Sequence, residues 1–129
     1  MQFTASTVSL TVEDVAASQA FFTRHLGYTV QQAADGFASL KRPDAVDVVL
    51  LARGVQVLPP EQRDRHADGL ILAFTLDEGL EEQERRLRDA GIEITMPLRQ
   101  EPWGERLFQV ADPNGVIIQF VQWSTPEHG

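Results

Sequence analysis

The sequence predicts an α+β fold built from two βαβββ repeats, and three observations carry that prediction. Residues 7–30 (TVSLTVEDVAASQAFFTRHLGYTV) superpose on residues 71–94 (ILAFTLDEGLEEQERRLRDAGIEI) at a spacing of 64, with Val8, Leu10 and Val12 falling on Leu72, Phe74 and Leu76, and Gly27 on Gly91. Residues 37–51 match 107–121 at a spacing of 70, which sets Pro43-Asp44 on Pro113-Asn114. Within each copy the apolar pattern runs from alternation to helical spacing and back to alternation, the signature of strand, helix and strands in turn. The two spacings differ by a six-residue insertion in the second copy, inside the segment 96–104 (MPLRQEPWG). A chain of 129 residues suits one domain. Its expected parts are repeat one at 1–54, a linker at 55–69 holding Pro59-Pro60, repeat two at 70–123 and a tail at 124–129.

Each element follows from local chemistry. In the first strand Val8, Leu10 and Val12 share one face and Thr7, Ser9 and Thr11 the other, because strand side chains alternate. The first helix is expected to start near Glu13-Asp14, where carboxylates suit the helix dipole. It carries Val15, Phe22 and Leu26 inward and ends at Gly27, a residue that tolerates the left-handed turn after a helix. A hairpin centred on Pro43-Asp44 sets Ala38 opposite Val49 and Leu40 opposite Asp47. The second helix is expected to begin at Asp77-Glu78, with Leu80, Leu87 and Ala90 inward. Glu81/Arg85, Glu82/Arg86 and Glu84/Arg88 are i,i+4 pairs on its solvated side. Asp112-Pro113-Asn114-Gly115 has strong turn chemistry. Centring a hairpin there sets Phe108 opposite Gln119, Val110 opposite Ile117 and Arg106 opposite Val121.

Composition narrows the function. There is no cysteine, which removes disulfides, thiolate metal sites and cysteine nucleophiles. A net charge of −8 argues against nucleic acid, whose binding needs a basic footprint, and against anionic membranes. No apolar run is long enough to span a bilayer and the first residues lack signal-peptide features, so a cytoplasmic location is expected. No Ser-His-Asp set is available either, because His25 lies in the last turn of a helix, His66 in the linker and His128 in the tail.

The segments TVSLTVEDVAASQAFFTRHLG and GERLFQVADPNGVIIQF, within a doubled βαβββ pattern covering Thr7 to Trp123, resemble the vicinal-oxygen-chelate superfamily of glyoxalases, extradiol dioxygenases, and fosfomycin- and bleomycin-resistance proteins. Within that group, EPWG at 101–104 followed by Phe108 and DPNG, together with DGFASL at 35–40, is similar to the bleomycin-binding proteins. The resemblance implies curved mixed sheets forming a cleft, and a homodimer whose clefts take strands from both chains. It also implies that Phe37 and Trp103 sandwich the flat part of a drug. Metal-dependent relatives place His, Gln or Glu at positions that match Thr7, Val49, Ile71 and Gln119 here. Val49 and Ile71 carry no donor atom, so neither a metal nor another cofactor is expected.

On the face expected to line the cleft, Thr7, Ser9, Thr11, Asp47, Thr75, Arg106 and Gln119 supply polar groups. Val49, Leu51 and Phe108 supply apolar surface, with Ala38, Leu40 and Val110 beside them. A mostly apolar lining with a few hydrogen-bonding groups is the make-up of a small-molecule site. The expected function is a metal-free binding protein that sequesters a planar hydrophobic or aromatic antibiotic-like natural product, of bleomycin type or another, and so confers resistance. Stacking on Phe37, Trp103 and Phe108 would supply most of the affinity. The alternative is a metal-independent lyase or isomerase of the same superfamily, with Asp47 as a general base or Arg106 holding an anionic or carbonyl group.

Overall fold

In the computed structural model, which describes residues 1–124, strand β1 (Thr7–Val12) buries Leu10 and Val12 and leaves Thr7 and Ser9 exposed, as its alternation requires. Helix α1 (Val15–His25) follows. Asp14 caps it, accepting the Ala17 N–H at 3.1 Å, and Gly27 takes the left-handed turn after it at φ 71°. The chain then runs through β2 (Thr29–Ala34), β3 (Phe37–Lys41) and β4 (Asp47–Ala52). The sheet order is β1-β4-β3-β2, with β1 and β4 parallel and the other pairs antiparallel. Phe21 and Phe22 come from α1, Leu40 from β3, and Val48 and Leu50 from β4. All are buried and fill the space between helix and sheet. Each such side chain contributes about 1.5–3 kcal/mol by leaving water.

The second copy repeats this pattern with β5 (Ile71–Thr75), α2 (Leu80–Asp89), β6 (Ile94–Gln100), β7 (Glu105–Ala111) and β8 (Ile117–Trp123), in the order β5-β8-β7-β6. The chain divides into the units Met1–Asp68 and Gly69–Gly129. Residues 55–68 therefore group with the first copy. The Gly54 N–H donates to the Arg63 carbonyl and the Ala67 N–H to the Thr11 carbonyl, both at 2.7 Å. Glu13 accepts from Arg53 at 2.9 Å and lies 3.3 Å from His66 Nε2; Arg53 first, then His66, hold its carboxyl below the usual range. Among the described residues no helix is long and apolar enough to cross a membrane.

Both hairpin registers differ from expectation by one residue. Ala38 pairs with Leu50 and Leu40 with Val48, while Phe37 pairs with Leu51 and Ser39 with Val49. In the second unit Phe108 pairs with Phe120, Val110 with Ile118 and Arg106 with Gln122, whereas Leu107 pairs with Val121 and Gln109 with Gln119. The cause is the loop length. Asp112 Oδ1 accepts the backbone N–H groups of Asn114 and Val116, each at 2.9 Å, and the Asp112 N–H donates to the Val116 carbonyl at 3.0 Å. The loop therefore holds three residues and ends on Gly115 at φ 85°, the bulged form of hairpin turn. In the first unit the wider loop 42–46 plays the same part, with Arg42 bound to Asp44 at 2.6 Å and to the Leu26 carbonyl. A one-residue slip moves every side chain of a strand to its other face. Ala38, Leu40, Arg106, Phe108 and Val110 therefore lie on the helix-covered faces, not on the opposite faces expected from the sequence.

The helices also depart from expectation in detail. Helix α2 begins at Leu80 after Gly79, three residues beyond Asp77, so Glu81 and Glu82 occupy its first turn. The Leu80 N–H is capped by Gln122 Oε1 of β8 at 3.0 Å. Of the three expected charge pairs, Glu84–Arg88 forms, at 3.0 Å. Glu81 instead bonds Arg106, and Arg86 donates to Gln83 at 2.8 Å. Ala90 is exposed rather than inward.

Tyr28 is buried behind α1, edge-on to Phe22 at 5.5 Å, and its hydroxyl donates to the Val46 carbonyl at 2.7 Å. Burial pushes its pKa up to about 12. A folded pKa above the unfolded value of about 10 means that the phenol contributes stability that is fully present below pH about 10. That contribution is lost as pH rises through about 12. Tyr28→Phe is expected to cost about 1 kcal/mol at neutral pH and to flatten this alkaline loss, as read from thermal melts across pH.

Candidate functional site

The helices cover one face of each sheet, and the candidate site residues are best placed by asking which lie on the other face. In the first unit the pairings Thr7–Asp47, Ser9–Val49 and Phe37–Leu51 put all six of these residues on the helix-free face. Three strands contribute, because parallel β1 and antiparallel β3 both flank β4. Val49 and Leu51 supply apolar surface, and Thr7 and Ser9 supply hydroxyls. Sequence reasoning from the hairpin missed Ser39 and Lys41, which share this face. Ser39 donates to Gln31 at 3.3 Å, and Lys41 pairs with Asp47 at 2.9 Å. Beside that ion pair an open cavity of about 940 Å³ lies at the sheet's end, between Thr4–Ser6, Thr29 and the loop 42–46. Of the expected site residues, Asp47 alone lines it.

In the second unit Gln119 lies on the helix-free face, with Ala73 beside it and Gln109 opposite. Gln109 Nε2 donates to Gln119 Oε1 at 2.7 Å. The six-residue insertion lengthens the β6–β7 hairpin. At its tip the Gly104 N–H donates to the Glu101 carbonyl at 3.0 Å, and Gly104 adopts φ 96°. Trp103 projects there, 65% exposed, its indole N–H donating to Glu105 Oε1 at 3.0 Å. Glu105 pairs across the ladder with Trp123, itself 52% exposed. Two indoles and a carboxylate thus gather at one end of this sheet.

Phe108 and Arg106 do not join this group. Phe108 is fully buried under α2 and stacks on Phe120 at 5.0 Å, and Phe120 stacks on Phe74 at 6.0 Å. Arg106 reaches Glu81 on the helix and holds that carboxyl below its usual range, after the backbone N–H of Glu81 itself. The residues missed here, Gln109 and Trp123, were legible in principle. Asp-Pro-Asn-Gly with glycine last is the pattern of a three-residue bulged loop, and counting three places them correctly.

The two described histidines stand apart from both faces, His66 meeting Glu13 and His25 packing against the Phe21 ring at 5.4 Å; His128 lies outside the described residues. Among the described residues no group of three or more His, Cys, Asp or Glu converges. The four positions that match metal ligands elsewhere hold Thr7, Val49, Ile71 and Gln119, two of them hydrocarbon, so this donor set does not suit a divalent ion. Elemental analysis of the purified protein is expected to find far less than one Zn, Ni, Mn or Fe per chain; one tightly held ion would contradict this.

Paired βαβββ units, each a mixed four-stranded sheet under a single helix, define the two-module vicinal-oxygen-chelate fold. The chain belongs to the Glyoxalase/Bleomycin resistance protein/Dioxygenase superfamily, whose family model matches residues 4–120. It is similar to a glyoxalase/bleomycin resistance protein/dioxygenase from Nocardioides, with 25% identity, a TM-score of 0.78, and coverage of 100% of this chain and 91% of the other. Lactoylglutathione lyase from Agrobacterium tumefaciens shares the fold at 16% identity and a TM-score of 0.75, over 94% of each chain. So does an integron cassette protein from the mobile metagenome of V. cholerae, at 23% identity and a TM-score of 0.73, over 96% of this chain and 98% of the other. Among curated proteins none matches this chain.

Proposed function

We propose that this protein is a metal-free binding protein that sequesters a planar hydrophobic or aromatic antibiotic-like natural product, of bleomycin type or another, and thereby confers resistance. The observation that carries this reading is Trp103, an indole 65% exposed on a hairpin tip that the first copy does without. Its ring is held by Glu105, with Trp123 close by across the ladder. Large exposed aromatics grouped on a rigid scaffold mark a recognition surface, and flat rings bury much area on them at little entropic cost. Phe37, Val49 and Leu51, set among Thr7 and Ser9, give the first unit a face of matching character. The net charge of −8 suits a cationic compound.

A catalytic reading has less support. Arg106 is engaged by Glu81 on the helix-covered side, and Asp47, with a side chain 16% exposed, is engaged by Lys41. The test is native mass spectrometry of the protein with a natural-product library. Retention of an unchanged planar compound is expected, and release of a chemically altered one would overturn the proposal.

The bound form is proposed to be a homodimer, as the family resemblance implies, in which a second copy would cover the exposed Trp103 and Trp123. Light scattering at tens of micromolar is expected to give twice the chain mass. A monomer with the compound retained would contradict it.

A further inference from the structure

The middle of the second unit's helix-free face holds an amide pair in apolar surroundings. Gln109 and Gln119 are direct cross-strand partners joined by one hydrogen bond of 2.7 Å. Around them, Ala73 lies beside Gln119, Met96 pairs with Gln109, and the next pairs on the same face are Leu107–Val121 and Ala111–Ile117. Leu107 and Val121 are 6% and 4% exposed, so the amides sit against a dry flank.

Each primary amide has a carbonyl acceptor and two N–H donors. One bond between two such groups spends a donor of one and the acceptor of the other. The carbonyl of Gln109 and the NH₂ of Gln119 are left over from this bond, and among the described residues neither makes another hydrogen bond. Exchanging N and O in both side chains reverses the roles but still leaves one acceptor and one donor on the pair. Half-buried polar groups of this kind favour a ligand that completes both bonds and penalise one that leaves either unmet.

We infer that this amide pair reads a cyclic amide edge, an N–H and a C=O on the same side of a flat ring as in lactams, imides and pyrimidinones; the inference rests on the aromatic-binding reading above and names the chemistry of its ligand. An open-chain secondary amide does not fit, because its trans geometry points the N–H and C=O in opposite directions. A carboxylate or quinone edge supplies acceptors alone, which leaves the Gln109 carbonyl facing an oxygen. Among secondary amides a ring is what holds the N–H and C=O cis, and a flat ring is also what the neighbouring Ala73 and Met96 can pack against.

The experiment is calorimetric titration of the intact protein with quinolin-2(1H)-one and with its N-methyl derivative, which has the same ring and carbonyl but no donor. The lactam is expected to bind at least about tenfold more tightly than the N-methyl compound. Gln109→Leu and Gln119→Leu are each expected to bring the two within about twofold, mainly by weakening the lactam. The wild-type comparison needs no variant to fold. Equal binding of both compounds to wild type, or a preference that survives both substitutions, overturns the amide readout while leaving aromatic binding in place. Failure of both to bind at about 1 mM also overturns it, and the natural-product screen then decides the aromatic reading separately.

Discussion

Trp103→Ala is expected to weaken retention of a planar compound by roughly 30- to 1,000-fold, equivalent to about 2–4 kcal/mol, the range of an aromatic hot spot. The magnitude follows from position. The indole is 65% exposed, on a tip braced by the turn at Gly104 and by its own bond to Glu105, so its surface is available and its orientation is held in advance. Holding a ring in its binding geometry reduces the entropy lost on association. Stability is expected to change by no more than about 0.5 kcal/mol, because a side chain this exposed contributes little to packing. Tryptophan fluorescence gives the readout, and Trp103→Ala leaves Trp123 as the reporter. Binding within twofold of wild type, or a variant that unfolds, would refute the role assigned to this residue.

Phe108→Ala is expected to cost the fold about 3–5 kcal/mol. Phe108 is fully buried and stacks on Phe120, the middle ring of a three-ring stack whose other end is Phe74. A domain of ordinary stability holds about 5–15 kcal/mol in total, so the variant should lose a large share of it and shift its urea midpoint accordingly. Phe108→Leu, which keeps most of the volume, should cost far less and should retain a planar compound nearly as well as wild type. If Phe108→Ala instead kept its urea midpoint and lost affinity, the ring would belong to the ligand surface and not to the core.

The repeat, the order of elements and the alternation of β1 were legible because they depend on neighbours in the chain. Asp14 caps α1 and Gly27 ends it for reasons confined to a few residues, and those reasons are written in the local sequence. The shared face of Thr7, Ser9, Asp47, Val49 and Leu51 was legible too, since each strand's own period of two separates its faces. The membership of Phe37 on that face came from its likeness to a known motif, while the hairpin count had placed Ala38 there instead.

Hairpin register turns on loop length, which the Asp-Pro-Asn-Gly pattern carries and a count of two residues misses. Whether Asp112-Pro113-Asn114-Gly115 closes over two residues or three depends on the Asp112 carboxylate capturing the Asn114 and Val116 N–H groups. That single choice sends Phe108 to the core and Gln109 to the opposite face. The start of α2 was decided by the tertiary structure: its first N–H is satisfied by Gln122, 42 residues away, which no local pattern around Asp77 reveals. Local chemistry acts through bonds and turns a few residues long, so the sequence by itself determined the elements and their amphipathic sides. Which sides meet was determined by hydrogen bonds and ring contacts between distant residues, and these exist only once the strands have paired.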